Sequence, residues 1–294
     1  NLNEKKFKKK VYLCSFASHD LDLSVKRFVT QAKNLQFYEN IKVFRPSDFS
    51  DELKERIKEL FKRGGKNRYY GFDSWRPEII KKHLKDLPEG SIIHYSDIGN
   101  HLNKNGVQRL IDYVSMTEKN NMIVFEYGDP AKQFQNYKYK FQKYMEYQYT
   151  KGDVLKYFNL SKNSEIFNSP QIWGGTFFLK KSNFSSIFLN QWELANQNTN
   201  LLDDSPSVSK NHKQFEGMRG CQSIFSIICK LNNVSRLSAT ECEWAENNSQ
   251  RIWSHLNNYP ILAKRDKKFN IFKRFFNRQK KNLKRYLHKI KIEI

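Results

Sequence analysis

Between residues 10 and 126, short apolar strands alternate with amphipathic helices, and this alternation restricts the fold to a mostly parallel sheet covered by helices. Lys10–Ala17 reads as a first strand, and Ser18-His19-Asp20 ends it. Val25, Phe28, Val29, Ala32 and Leu35 then form a helical stripe, with Asp22 or Ser24 as cap. Ile41–Phe44 is a second strand, and a polar helix over 48–62 follows, capped near Ser47 or Ser50. Ile79, Ile80, His83, Leu84 and Leu87 share one face of the next helix, with Pro77 in its first turn, where a missing N–H costs nothing. Pro88-Glu89-Gly90 breaks that helix, and Ser91–Tyr95 is a short buried strand. Val107–Glu118 is helical and Met122–Glu126 is a further strand.

Ligands of open α/β sheets bind outside the carboxyl ends of the strands. The Ser91–Tyr95 strand runs into Ser96-Asp97-Ile98-Gly99, which places one carboxylate and one glycine at such an end. An Asp there can meet a diphosphate through a metal, or a sugar hydroxyl directly. The glycine patterns of dinucleotide enzymes and of P-loop NTPases are both absent. Gly64–Arg68 is a basic loop leading into the aromatic stretch Tyr69–Trp75. Tyr137, Tyr139, Phe141, Tyr144, Tyr147 and Tyr149 recur at roughly helical spacing, read as a helix half-buried against the sheet.

Further along, Ser169–Lys180 carries Gln171 and adjacent glycines Gly174 and Gly175 before a strand. Such glycines let a ligand approach the backbone closely. Asn183–Ala195 is a helix, residues 201–207 an acidic loop, and Val234–Ser238 a last edge strand. Cys14, Cys221, Cys229 and Cys242 have neither zinc-site spacing nor the look of a disulfide framework, and they fit a reducing cytosol. No apolar run approaches the ~18 residues of a transmembrane helix, and no secretory signal is visible.

Four blocks, in order, resemble the nucleotide-sugar glycosyltransferases of the GT-A type, in particular those of bacterial polysaccharide, capsule and lipopolysaccharide synthesis. They are Gly71, Phe72, Trp75, Arg76, Pro77, Ile79 and Ile80; Gly90, Ile92, Tyr95, Asp97 and Gly99; Gln171, Gly174 and Gly175; and Phe215, Arg219, Gln222 and Ser223. The resemblance spans about residues 10–245. It implies one GT-A-like (Rossmann-like) α/β domain over 1–245, with a mixed, mostly parallel sheet flanked by helices. It implies transfer of a sugar from a nucleotide sugar to a glycan or lipid-linked acceptor. Asp97 takes the place of the family's acidic motif, as catalytic residue and metal ligand, with or without a divalent ion (Mn2+ or Mg2+). Ser15, Ala17, Ser18, Trp75, Arg76, Tyr95, Ser96, Gly99 and Arg219 are implied on the donor side. Asp153, Gln171, Gly174, Gly175 and Gln222 are implied toward sugar and acceptor, and Asp203 and Asp204 are acid–base candidates. Cys221 stands where the family carries Asp.

Half of the formal charge of +22 lies in residues 264–294, with 13 Lys or Arg against 2 Asp or Glu. Phe269, Phe272, Phe276, Leu283, Leu287, Ile290 and Ile294 fall on one helical face there. Residues 246–294 therefore read as a linker and a basic amphipathic helix that attaches the enzyme to an anionic membrane, peripherally, at the inner face of the cytoplasmic membrane. The other readings are a basic nucleic-acid-binding protein, which explains the charge but not the strand-end blocks, and a non-catalytic carbohydrate-binding homologue. Nucleic acid is not the expected partner.

Overall fold

The structure, a computed structural model, describes residues 10–66 and 68–265, together with positions 275, 276, 279, 280 and 283. Its centre is a six-stranded sheet of β1 (Val11–Phe16), β2 (Asn40–Phe44), β3 (Ile92–Ser96), β4 (Met122–Glu126), β5 (Ile172–Lys180) and β6 (Ser235–Ser238). The spatial order is β2-β1-β3-β5-β4-β6. β1 pairs in parallel with β2 and β3, and β4 with β6, while β5 is antiparallel to both β3 and β4. Five strands thus point one way and β5 alone opposes them. The sheet is the mixed, mostly parallel one expected, with Val234–Ser238 at its edge as read.

Helices cover both faces. On one side α2 (Asp51–Leu60), α3 (Arg76–Lys85), α5 (Asn183–Gln197) and α6 (Cys221–Leu231) bury Ile57, Ile80, Trp192 and Phe225 against Cys14, Ile93, Phe177 and Leu179. On the other, α1 (Asp22–Asn34) and α4 (Val107–Asn120) bury Phe28, Tyr113 and Val114 against Leu13, Ile92 and Phe178. Strands β1, β3 and β5 are buried almost throughout, as central strands covered on both faces must be. α2 starts where its cap predicts, with the Ser50 hydroxyl accepting from the Leu53 amide at 3.2 Å.

Three expectations need correction. The aromatic segment 137–149 is not one helix. The chain runs irregularly there, bridges Glu246 through Lys140 and Pro170 through Met145, and turns helical only over Glu146–Tyr149. Its rings at 137, 139 and 141 are spaced by two, which suits extended chain better than a 3.6-residue period. Gly174 and Gly175 lie inside β5, not before it. Residues 246–263, read as linker, are folded onto the body. Ala245–Asn247 and Gln250–Ile252 form a hairpin, and Ile261–Leu262 pairs with His101–Leu102. The amphipathic tail lies outside the described residues, apart from positions 264, 265, 275, 276, 279, 280 and 283. Of these, Phe275, Phe276 and Leu283 are exposed. Among the described residues, no helix is long and apolar enough to cross a membrane.

Candidate functional site

The carboxyl ends of β1, β3 and β4, with the amino end of the opposed β5, open into a cleft of about 520 Å3. Phe16 and Ser18 enter it from β1, Asp97, Ile98, Gly99 and Asn100 from β3, Tyr127 from β4, and Trp173 and Gly175 from β5. Tyr69, Tyr70, Asp73, Trp75 and Arg76 form one wall, and Tyr144, Arg219, Gln222 and Arg265 complete the lining.

The turn after β3 is fixed from two sides, by β5 and by α1. The Asp97 amide donates to the Gly175 carbonyl at 2.9 Å, and the Asn100 side chain donates to the same carbonyl at 2.9 Å. Arg27 of α1 donates to the carbonyls of Ile98 and Asn100 at 2.7 and 2.6 Å. The Asp97 carboxylate is therefore presented on a rigid turn, with 42% of its side chain exposed to the cleft. Its Oδ1 accepts from the Tyr95 hydroxyl at 2.8 Å and from Arg76 at 3.2 Å.

Arg76 is the electrostatic centre of this wall. Only 2% of its side chain is exposed, and the same Nη2 also donates to Asp73 at 3.0 Å. The faces of Trp75 and Tyr95 lie 5.5 and 5.0 Å from its guanidinium. Burial works against the charge, but the carboxylates of Asp73 and Asp97 hold the pKa well above the ordinary value. The Tyr95 hydroxyl is pushed up by burial and stays a donor. Cys221 sits behind Arg76, wholly buried, and burial pushes its thiol up to about 12, so it supplies no charge in place of the family's Asp.

Asp73 reaches Arg76 because of an unusual backbone. Tyr69, Tyr70, Gly71, Phe72 and Asp73 all have positive φ, between 50° and 81°, and the amides of Phe72 and Asp73 donate four residues back to Arg68 and Tyr69. This is a turn of left-handed helix, which costs roughly 1–2 kcal/mol for each residue with a Cβ. Burial of Phe72, and a bond of 3.1 Å from the Trp75 indole to the Tyr70 carbonyl, hold it in place. Such strain gathers at functional sites. It aims Tyr69, Tyr70 and Asp73 into the cleft.

Also on the cleft lining, the guanidinium of Arg219 lies over the rings of Tyr149 and Tyr144, at 3.6 and 4.0 Å, with Tyr127 at 5.9 Å. Its Nη1 donates to Gln171 Oε1 at 3.3 Å, and Gln222 donates to the same oxygen at 2.9 Å. Gln171 is itself wholly buried and donates to Ser223 at 3.2 Å and to Glu146 at 3.4 Å. Glu146 is in turn buried, accepting from Thr150 at 2.9 Å, Lys230 at 2.9 Å and Ser226. A satisfied buried network of this kind rigidifies what it supports. Arg265 joins the same wall, paired with Glu243 and 3.3 Å from the Tyr127 hydroxyl.

Of the residues singled out in the sequence, Ser18, Trp75, Arg76, Asp97, Gly99, Gly175, Arg219 and Gln222 line the cleft together. Tyr95, Gln171 and Gly174 stand directly behind them, Gly174 donating its amide to Gln222 at 3.2 Å. Ser15 and Ala17 are wholly buried in and after β1, and the buried Ser96 hydroxyl accepts from Asn100. The three acidic candidates beyond Asp97 are placed elsewhere. Asp203 is buried, accepting from Lys151 at 3.0 Å, and Arg63 pairs with it at 3.3 Å. Although burial opposes it, bonds from Ser205 and Lys151 hold its carboxyl below the usual range. Asp204 pairs with Arg68 at 2.5 Å. Asp153 accepts from the amides of Val208 and Ser209 at 2.9 and 2.6 Å, which keep its carboxyl low against its partial burial and tie down the 205–209 loop. Sequence reasoning missed Asp73, Asn100, Tyr127, Glu146, Lys230 and Arg265. Only Asp73 carried a local signal, three residues before Arg76.

The residues do not fit an ion held by the protein alone. Mg2+ and Ca2+ need about six or more oxygen ligands. In the cleft, Asp97 Oδ1 is engaged by Tyr95 and Arg76, Asp73 Oδ2 by Arg76, and Asp20 Oδ1 by Ser18. Among the described residues, no group of three or more His, Cys, Asp or Glu could hold a metal ion.

No family model matches the chain, and no curated protein matches it. Solved structures similar to it include a glycosyltransferase involved in the glycosylation of the major capsid of PBCV-1, at 9% identity and a TM-score of 0.45, over 86% of this chain and 91% of that one. Mouse xyloside xylosyltransferase 1 in its apo form matches at 13% identity and a TM-score of 0.38, over 80% and 87% of the two chains. The galactosyltransferase LgtC, in complex with donor and acceptor sugar analogs, matches at 10% and 0.37, over 79% and 75%. At these scores the likeness carries no functional weight.

Proposed function

We propose that the protein is a nucleotide-sugar-dependent glycosyltransferase of the GT-A type, which moves a sugar to a glycan or lipid-linked saccharide in bacterial surface polysaccharide synthesis. One observation carries the reading. Four sequence blocks spread over residues 71–223, each chosen for its likeness to that family, contribute Trp75 and Arg76, Asp97 and Gly99, Gly175, and Arg219 and Gln222 to a single cleft. The cleft lies at the carboxyl edge of the sheet, where such ligands bind.

In this reading the nucleotide enters beside Phe16, Ser18 and the aromatic wall. Its diphosphate lies between Arg76 and Arg219, and the sugar faces Asp97 and the turn that holds it. Asp97 orients a sugar hydroxyl on a rigid turn, which is the positional part of catalysis. The guanidinium groups stabilise the charge that develops on the departing diphosphate. The acceptor approaches past Gln222 and Gly175. The basic tail holds the enzyme peripherally at an anionic membrane, at the inner face of the cytoplasmic membrane, where a lipid-linked acceptor is presented.

The test is a panel of nucleotide sugars assayed for transfer and slow hydrolysis, with wild type beside Asp97→Asn. Turnover of at least one donor is expected, and a loss of about a hundredfold or more in the folded variant. Near-wild-type turnover by Asp97→Asn removes that residue from the site, and inertness toward every donor removes the activity.

A further inference from the structure

Resting on the glycosyl-transfer reading, we infer that the charge of the leaving diphosphate is met in this cleft by arginine, principally Arg219, in the role that a divalent ion fills elsewhere. Arg219 is a half-buried cation whose direct contacts are neutral, the nearest carboxylates, Glu216 and Glu146, being held by Tyr149 and Gln171. Its contacts are ring faces and an amide oxygen, and no carboxylate among the described residues pairs with it. Arg76, by contrast, is already shared between Asp73 and Asp97, and Arg265 is paired with Glu243. Among the cleft's arginines, the charge left over for an incoming anion is therefore that of Arg219, with the exposed Lys66 as a further cation on the cleft lining.

Its geometry is also prepared. Tyr144 and Tyr149 hold the guanidinium flat, and Gln171, anchored through Glu146 to the buried Lys230, fixes its rotation. A planar fork pre-set in this way suits bidentate contact with phosphate oxygens, which a lysine ammonium cannot reproduce. Because the donors do not reorganise as charge builds, they stabilise the transition state beyond the ground state. The carboxylates, meanwhile, offer an ion few ligands, since Arg76 engages Asp73 Oδ2 and Asp97 Oδ1 and Ser18 donates to Asp20 Oδ1.

The transfer step balances without an ion. The bond from the anomeric carbon to the diphosphate oxygen breaks, and its electron pair stays on that oxygen beside Arg219. The acceptor oxygen forms the new bond to the anomeric carbon, and its proton is released to solvent. The products are the glycoside, the nucleoside diphosphate and one proton.

Calorimetric titration of the full-length protein with UDP, GDP, CDP and ADP, each in EDTA and in excess Mn2+, tests the inference. At least one of them is expected to bind with a Kd that agrees within about twofold between the two conditions. Arg219→Lys, which keeps the charge, and Arg219→Gln are expected to weaken it about tenfold or more, equivalent to about 1.4 kcal/mol, with unfolding midpoints and circular dichroism near wild type. Binding that is more than about tenfold tighter in Mn2+ than in EDTA overturns the inference and leaves the glycosyl-transfer reading standing. So does undiminished binding by both variants. Absence of binding by all four diphosphates in both conditions overturns the two together.

Discussion

Because Arg76 is shared by two carboxylates, removing either one leaves it paired, and removing both does not. The perturbations are Asp73→Asn, Asp97→Asn and the double variant. Asn keeps the size of the side chain and tolerates the positive φ of 58° at position 73. The Asp97 side chain is 42% exposed, so solvent screening limits its loss to about 1 kcal/mol or less. Asp73 is 20% exposed and makes a charge-assisted bond, and its loss costs about 1–2 kcal/mol. The double variant leaves a guanidinium that is 2% exposed without any counter-charge, a state that costs about 3–5 kcal/mol. The double variant should therefore exceed the sum of the singles by about 1–2 kcal/mol, well outside the ~0.5 kcal/mol within which independent sites add. Urea unfolding of the four proteins at neutral pH measures this directly. Simple additivity would refute the shared pairing, as would a double variant no less stable than Asp73→Asn alone.

Gly175→Ala places a Cβ 2.4 Å from the Trp173 indole, so an overpacking loss of about 1–3 kcal/mol is expected, and Trp173→Leu in the same chain should recover part of it. Unchanged melting of Gly175→Ala would show that the indole moves freely. Burial lowers the pKa of His94 to about 3, and of His83 and His255 to about 4, against an unfolded value near 6.5. The unfolded chain then binds protons that the folded one refuses. Stability should fall below pH 6.5, by about 1.4 kcal/mol per unit from His94 alone, and these groups add no dependence above it; a urea midpoint that is flat from pH 7 to 5 contradicts this. Deletion of residues 264–294 removes thirteen basic residues, each worth about 1 kcal/mol near an anionic surface, and should abolish sedimentation with anionic vesicles. Equal sedimentation of both proteins would end the membrane proposal.

The strands and main helices are legible in the sequence because their signals lie within a turn or two. Caps such as Ser50, the stripe of α1 and the apolar run of Ile92–Tyr95 act locally, and β1 through β4 fall within a residue or two of their expected bounds. The acidic strand end was legible for the same reason, since a strand that stops at Ser96 must present Asp97 at the sheet edge. What only the tertiary structure decided are the pairings of charge over long separations. Lys151 pairs with Asp203 outside the cleft lining, and Tyr144 and Tyr149 clasp an arginine 75 and 70 residues away, where a plain amphipathic helix was expected. Asp73 lay three residues from Arg76 throughout. Yet only a left-handed turn, held by the burial of Phe72, brings its carboxylate around to share that guanidinium with Asp97. Local periodicity records which face of an element is apolar. The partner a buried charge finds depends on what the rest of the chain packs beside it.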